Sequence, residues 1–143
     1  MIEHRIRLRG GWGCCAAGLP DSDEQRVTLP IRWSPDGLGR MRLTRRFGRP
    51  PFDPDRELLI LRLDQVAGIR CILLNGQPIA GVAPEKSLYE LQIDHSRDRN
   101  LLVLEIERPL PCMESAGASA EWGIVALVVR PIEPAAGSAT LSP

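Results

Sequence analysis

The sequence is poor in aromatics, which make up 4% of 143 residues, and it has two histidines and a single lysine, Lys86, among eighteen basic residues. It has no apolar run near the ~20 residues that a membrane helix needs. The opening Met1-Ile-Glu-His-Arg5 lacks the continuous apolar segment of a signal peptide. No membrane association and a cytoplasmic location are therefore expected. The four cysteines, at 14, 15, 71 and 112, show neither the paired C-x-x-C spacing of a zinc site nor a dense disulfide framework, and they read as reduced thiols.

Net charge is also missing: eighteen acidic residues balance eighteen basic ones. Residues 1–50 hold ten basic and five acidic side chains, and residues 51–143 hold eight and thirteen. A fold that interleaves strands from both halves would mix these charges, so no nucleic-acid partner is expected. The arginine bias carries no argument for phosphate recognition.

What is present is alternation with period 2, repeatedly interrupted by Gly and Pro, with no segment of a dozen residues keeping a period of 3.6. Strands are predicted over Arg5–Arg9, with Ile6 and Leu8 facing inward, and over Arg26–Leu29, Arg40–Phe47, Glu57–Asp64 and Ile69–Leu74. Further strands are predicted over Leu88–Asp94, Leu101–Glu107 and Trp122–Arg130. Glu57–Asp64, apolar on both faces at first, reads as a central strand; Leu88–Asp94 and Leu101–Glu107 read as edge or one-face-exposed strands. Asn75-Gly76 is a strong hairpin signal, since a type I′ turn needs positive φ at both central residues. Gly10, Gly11 and Gly13 are read as a break that places Cys14-Cys15 in a loop. Other loops are expected over Leu19–Glu24, Ser34–Gly37, Arg49–Pro54 and Pro109–Ala120. The prediction is one all-β domain over residues 1–131, an antiparallel β-sandwich, followed by a flexible C-terminal tail over 132–143.

The order of motifs resembles the N-terminal sugar-binding domain of family-two glycoside hydrolases, the β-galactosidase and β-glucuronidase group. Leu8-Arg-Gly-Gly-Trp12 is similar to the opening strand with its Gly-x-Trp, and Val27-Thr-Leu-Pro-Ile-Arg-Trp33 to the short strand ending in Pro and Trp. Gly39–Phe47, with Arg45-Arg46-Phe47, is similar to the "Gly … Arg-Arg-x-Phe" strand. Leu59–Val66 followed by Ile69–Gly76 resembles the apolar strand with its Leu-Asn-Gly hairpin, and Asn100-Leu-Leu-Val-Leu-Glu105 the "Gly-x-Asn-x-Leu-x-Val" strand. The resemblance implies a jelly-roll, galactose-binding-domain-like fold over nearly the whole domain. The sequence departs from the family at Gly81–Ser87, which has one glycine and no aromatic where a Gly-rich segment is usual. The length also leaves no room for the catalytic barrel, so no enzyme activity is expected.

Three residues are singled out as ligand candidates: Trp122, Trp33 and Arg45. An indole face suits the C–H groups of a pyranose, although Trp12 and Trp33 match positions that also serve packing. Arg45 falls on the inward face, where it needs either an ion pair with Asp64, Glu90 or Asp94, or a ligand's hydroxyls. His4 and His95 form no recognisable triad with Ser and Asp. Asp53, Asp55 and Glu57 could offer oxygens to a structural calcium, which jelly-roll sugar-binding domains commonly hold, but a solvated loop is the better reading and no cofactor is expected. The functional expectation is a non-catalytic carbohydrate-binding or carbohydrate-associated module, with a carbohydrate ligand or a separate enzyme as partner. The alternative is a structural or protein-interaction domain that forms a homo-oligomer.

Overall fold

The computed structural model describes residues 3–16, 24–32, 39–93, 98–108 and 121–132. Trp33, Asp94, His95, most of the loop expected at Leu19–Glu24, the Ser34–Gly37 turn, the Pro109–Ala120 loop and the tail beyond Ile132 lie outside these residues. None of the described residues is helical, and among them no helix is long and apolar enough to cross a membrane.

The described residues form the strands β1 (His4–Arg7), β2 (Trp12–Ala16), β3 (Gln25–Val27), β4 (Gly39–Gly48) and β5 (Glu57–Asp64). They continue with β6 (Ile69–Leu74), β7 (Gln77–Pro78), β8 (Leu88–Gln92), β9 (Arg99–Arg108) and β10 (Ile124–Pro131). These make two wholly antiparallel sheets, a four-stranded one ordered β1-β10-β5-β8 and a six-stranded one ordered β3-β2-β4-β9-β6-β7. The expected sandwich of jelly-roll type is what forms.

Alternation explains how the layers close. Leu59, Leu61 and Leu63 of β5 and Val125, Leu127 and Val129 of β10 face Leu102, Leu104 and Ile106 of β9 and Leu43 and Phe47 of β4, all buried in one core. Each such side chain removed from water contributes about 1.5–3 kcal/mol, and the summed burial offsets the ordering entropy of short strands. The central position predicted for Glu57–Asp64 holds. Ile60, Ala126 and Val128, which point away from the core, are buried as well. A charged roof is built near them: Arg130 pairs with Glu3 at 2.9 Å and with Glu90 at 3.0 Å, and Arg62 reaches Glu90 at 3.7 Å. Long arginine stems lay hydrocarbon over apolar surface while the heads stay wet.

Two expectations need correction, and a third is narrowed. Trp12–Ala16 is not a glycine-broken loop but a buried strand between β3 and β4, and Cys14 and Cys15 lie in it at 6% and 4% exposure. Pairing on both sides supplies the ladder that the local glycines argue against, and Arg42 Nη2 lies 3.3 Å from the Cys15 sulfur. Of the two alternatives for Leu101–Glu107, the one-face-exposed strand is what forms: β9 runs between β4 and β6, with Leu102, Leu104 and Ile106 buried and the alternate residues half-exposed. Ile6, opposite Leu127 in register, remains 43% exposed, since β1 is the edge of its sheet.

Candidate functional site

The turn after β6 carries the signal read from Asn75-Gly76: φ is +55° and +81°, as a type I′ hairpin requires. That conformation aims the Asn75 side chain at the start of β9. The Leu101 N–H donates to Asn75 Oδ1 at 2.9 Å, and Asn75 Nδ2 donates to Asn100 Oδ1 at 2.9 Å. A backbone N–H can only donate, so it fixes which atom of Asn75 is the oxygen. That choice in turn fixes the orientation of Asn100. Asn100 is 3% exposed, and its Nδ2 finds no hydrogen-bond partner among the described residues.

A depression of about 520 Å³ opens here, where β4 ends, β9 begins and the hairpin turns. It is lined by Arg46, Phe47, Gly48, Asn75, Arg99, Asn100 and Leu101. Its volume falls within the range of small-ligand clefts, roughly 300–1,000 Å³. Gly48, opposite Arg99 in register, contributes no side chain and leaves the hollow open. Arg46 and Arg99 are exposed and make no ion pair with any described residue, whereas the neighbouring Asp98 pairs with Arg49 at 3.0 Å. Arg46 also borders a second, polar hollow of about 250 Å³, shared with Gly11, Gly13, Glu24, Arg26 and Thr44. A third, about 260 Å³, lies in the proline-rich loop against Arg49, Pro50, Pro51, Phe52 and Pro54.

The residues singled out from the sequence lie elsewhere. Trp122 is 1% exposed and forms a bridge with Ile31, and its indole N–H donates to the Ala67 carbonyl at 2.8 Å. The expectation of an accessible stacking face at Trp122 is therefore corrected: the ring is core. Trp12 is fully buried, donating to Leu8 O at 2.8 Å. Trp33 lies outside the described residues. Arg45 does turn inward, but among the described residues it meets neither a carboxylate nor a hollow. Its Nε donates to Gly10 O at 2.7 Å and its Nη1 to Arg46 O. Glu90 is taken by Arg62 and Arg130, and Asp64 accepts its own neighbour's Gln65 N–H.

In the acidic loop, Glu57 accepts the Asp53 N–H at 2.8 Å, and Asp53 accepts the Asp55 N–H at 3.0 Å. These carboxylates brace their own turn. Among the described residues no three His, Cys, Asp or Glu side chains converge as metal ligands. His4 lies exposed on β1.

Sequence reasoning passed over Arg46, Arg99 and Asn100. Asn100 was visible within the Asn100–Glu105 motif but read as a fold determinant, and nothing local says that it meets Asn75.

No family model matches the sequence, and no curated protein matches it. Solved structures do. An FMN-binding β-glucuronidase from Faecalibacterium prausnitzii L2-6 is 21% identical with a TM-score of 0.64, over 89% of this chain and 22% of that one. A β-glucuronidase of an uncultured Clostridium sp. is 18% identical with a TM-score of 0.68, over 90% and 29%. A putative β-galactosidase from Bacteroides fragilis is 15% identical with a TM-score of 0.61, over 90% and 23%. The resemblance read from the sequence is thus borne out as a likeness of fold: this chain has the jelly-roll fold that those glycosidases carry over less than a third of their length.

Proposed function

We propose that the protein is a non-catalytic carbohydrate-associated module that engages its ligand at the depression between the β6–β7 turn and the junction of β4 and β9. The observation that carries this reading is the open hollow of about 520 Å³ with Phe47 and Leu101 beside Arg46, Arg99 and a buried amide. Apolar surface with a few placed polar groups is what a sugar-sized ligand needs. The likeness of fold to parts of glycosidases raises the prior without establishing the function. Trp33 stays in the proposal as a stacking residue, on its sequence argument alone.

The absence of catalysis belongs to the same proposal. Glycoside hydrolysis by the usual route needs two carboxyl groups flanking one bond. Among the described residues, these three hollows together offer one carboxylate, Glu24, in the second.

A second reading, a protein-interaction domain, is favoured by one observation: the edge strand β1 is exposed along its length and presents Ile6. A glycan array probed with the labelled chain separates the two, followed by two-dimensional ¹⁵N–¹H NMR titration of any hit. The module reading expects saturable shifts at Gly48, Asn75, Arg99 and Leu101. An array without hits, together with a concentration-dependent dimer that broadens the amides of residues 4–7, would replace it with the second reading.

A further inference from the structure

The polar hollow of about 250 Å³ is built around a missing side chain. Gly13 stands opposite Arg26 of β3 on one side and opposite Thr44 of β4 on the other. Its neighbours along β2, Trp12 and Cys14, point into the core, so alternation sets Gly13, Arg26 and Thr44 together on the outer face of the six-stranded sheet. Without a Cβ at Gly13 the face is notched between its flanking strands. The Glu24 side chain lies in that notch, where a Cβ would overlap its carboxylate. Arg46, two residues beyond Thr44 on the same face of β4, and Gly11 complete the lining.

The hollow holds charge of both signs, and none of it is paired from within the fold. Among the described residues the side chains of Glu24, Arg26 and Arg46 make no hydrogen bond or ion pair, and neither does the Thr44 hydroxyl. Two guanidinium groups and a carboxylate thus border one small space without pairing with each other. A free anion placed there would meet Glu24, and a free cation would meet Arg26 and Arg46. A neutral guest would leave all three charges without a counter-charge. A guest that carries both signs close together gives each group the partner it lacks. The volume, below the roughly 300 Å³ at which clefts for drug-sized ligands begin, keeps that guest small.

We infer that this hollow binds a small zwitterion, a free α-amino acid, whose carboxylate is received by Arg26 and Arg46 and whose ammonium is received by Glu24 and the Thr44 hydroxyl. A guanidinium presents a planar fork of N–H donors that suits a carboxylate, and an ammonium has three donors to share between a carboxylate and a hydroxyl oxygen. A single exposed ion pair contributes little, so binding depends on engaging both ends of the guest at once. The site is independent of the carbohydrate reading above, since the larger depression shares only Arg46 with it.

NMR and calorimetric titration of the full chain with the amino acids of uncharged side chain tests the assignment. The best binder is then compared with its N-acetyl derivative, which lacks the ammonium, and its amide, which lacks the carboxylate. The expected result is saturable binding of at least one amino acid, with shifts at the Gly13, Arg26 and Thr44 amides and about tenfold weaker binding of either derivative. Glu24→Gln and Arg26→Ala should each weaken binding by about the same factor. Both side chains are exposed, so these variants should stay folded. Gly13→Ala changes the geometry without changing any charge. Its φ is not in the left-handed region, so the backbone accepts alanine, and the new Cβ should drive the Glu24 carboxylate out of the notch and weaken binding as Glu24→Gln does. Arg40→Ala removes a positive charge from the same face of β4 outside the hollow and should leave binding unchanged.

Failure of every amino acid to bind would overturn the inference. So would an N-acetyl derivative that binds as tightly as its parent, which would make the hollow an anion site, or an amide that does so, which would make it a cation site. Equal weakening by Arg40→Ala and Arg26→Ala would show attraction to the sheet face as a whole and would overturn it as well. The probes carry no sugar, so each of these outcomes leaves the carbohydrate reading to its own test.

Discussion

Asn75 and Asn100, 25 residues apart in sequence, meet amide to amide at 2.9 Å, and the contact orders both the hairpin after β6 and the start of β9. Asn75 reaches it from a left-handed backbone, φ +55°, that few residues other than Gly, Asn and Asp adopt comfortably. Asn75→Ala should therefore lose two side-chain hydrogen bonds, strand the Leu101 N–H and add backbone strain, a loss of about 2–4 kcal/mol. Asn75→Gly keeps the backbone freedom and should be about 1 kcal/mol less damaging than alanine. Urea unfolding with an unchanged slope checks the series. Glycine and alanine falling together would mean that the turn strain is negligible.

The two buried indoles give a spectroscopic prediction. Trp12 and Trp122 are both closed off from solvent, each with its N–H on a backbone carbonyl. In a Trp33→Phe background the emission should be blue-shifted relative to the unfolded chain, resistant to iodide and unchanged by any ligand at the surface depression. Trp122→Ala should cost about 3–5 kcal/mol through the cavity it leaves, seen as a collapse in thermal midpoint. Iodide quenching in the native state would place one of these rings at the surface and return it to the ligand candidates.

How much of this was legible follows from the range of each interaction. Strand positions come from alternation, a local property, and Arg40–Phe47, Glu57–Asp64 and Ile69–Leu74 could be read directly. β2 could not, because three glycines within four residues signal a loop unless the neighbouring strands are known. Those neighbours also explain two of the glycines: a Cβ on Gly13 would overlap the Glu24 carboxylate, and one on Gly11, at φ +78°, would crowd the Arg45 guanidinium. The depression was illegible for the same reason. Arg46, Asn75 and Arg99 come from three strands or their ends, and only the register of β4 on β9 and the reach of one asparagine bring them together.

Arg45, half-buried, is held by backbone carbonyls and by no carboxylate among the described residues. Its planar fork reaches Gly10 O and Arg46 O, fastening the chain before β2 to the end of β4. Arg45→Met should keep the packing but leave those carbonyls with one partner fewer. A destabilisation of about 1–3 kcal/mol is expected, with faster hydrogen exchange at Gly11 and Trp12. Arg45→Lys should recover little of this, since a single ammonium cannot reproduce two directed donors. Full rescue by lysine would show that charge, not fork geometry, is what the site requires.

The roof over the four-stranded sheet should make stability depend on pH in one direction. Glu3 is held below the ordinary glutamate range, first by its hydrogen bond from Arg130 and then by the nearby charges of Arg130 and Arg5. Arg130 is correspondingly raised, chiefly by its hydrogen bond to Glu90 and then to Glu3. As pH falls through about 4.5, Glu3 takes up its proton in the unfolded chain before it does in the folded one, so protons favour unfolding and stability declines. Above that range the contribution is fully present. Glu3→Gln should therefore show a shallower loss of urea midpoint between pH 6 and pH 3 than the parent protein. The pair is partly exposed, 33% and 30%, so the difference should be modest and should shrink in high salt. Parallel midpoint-against-pH curves for the two proteins would mean that the Glu3–Arg130 contact is a surface pairing with no consequence for folding.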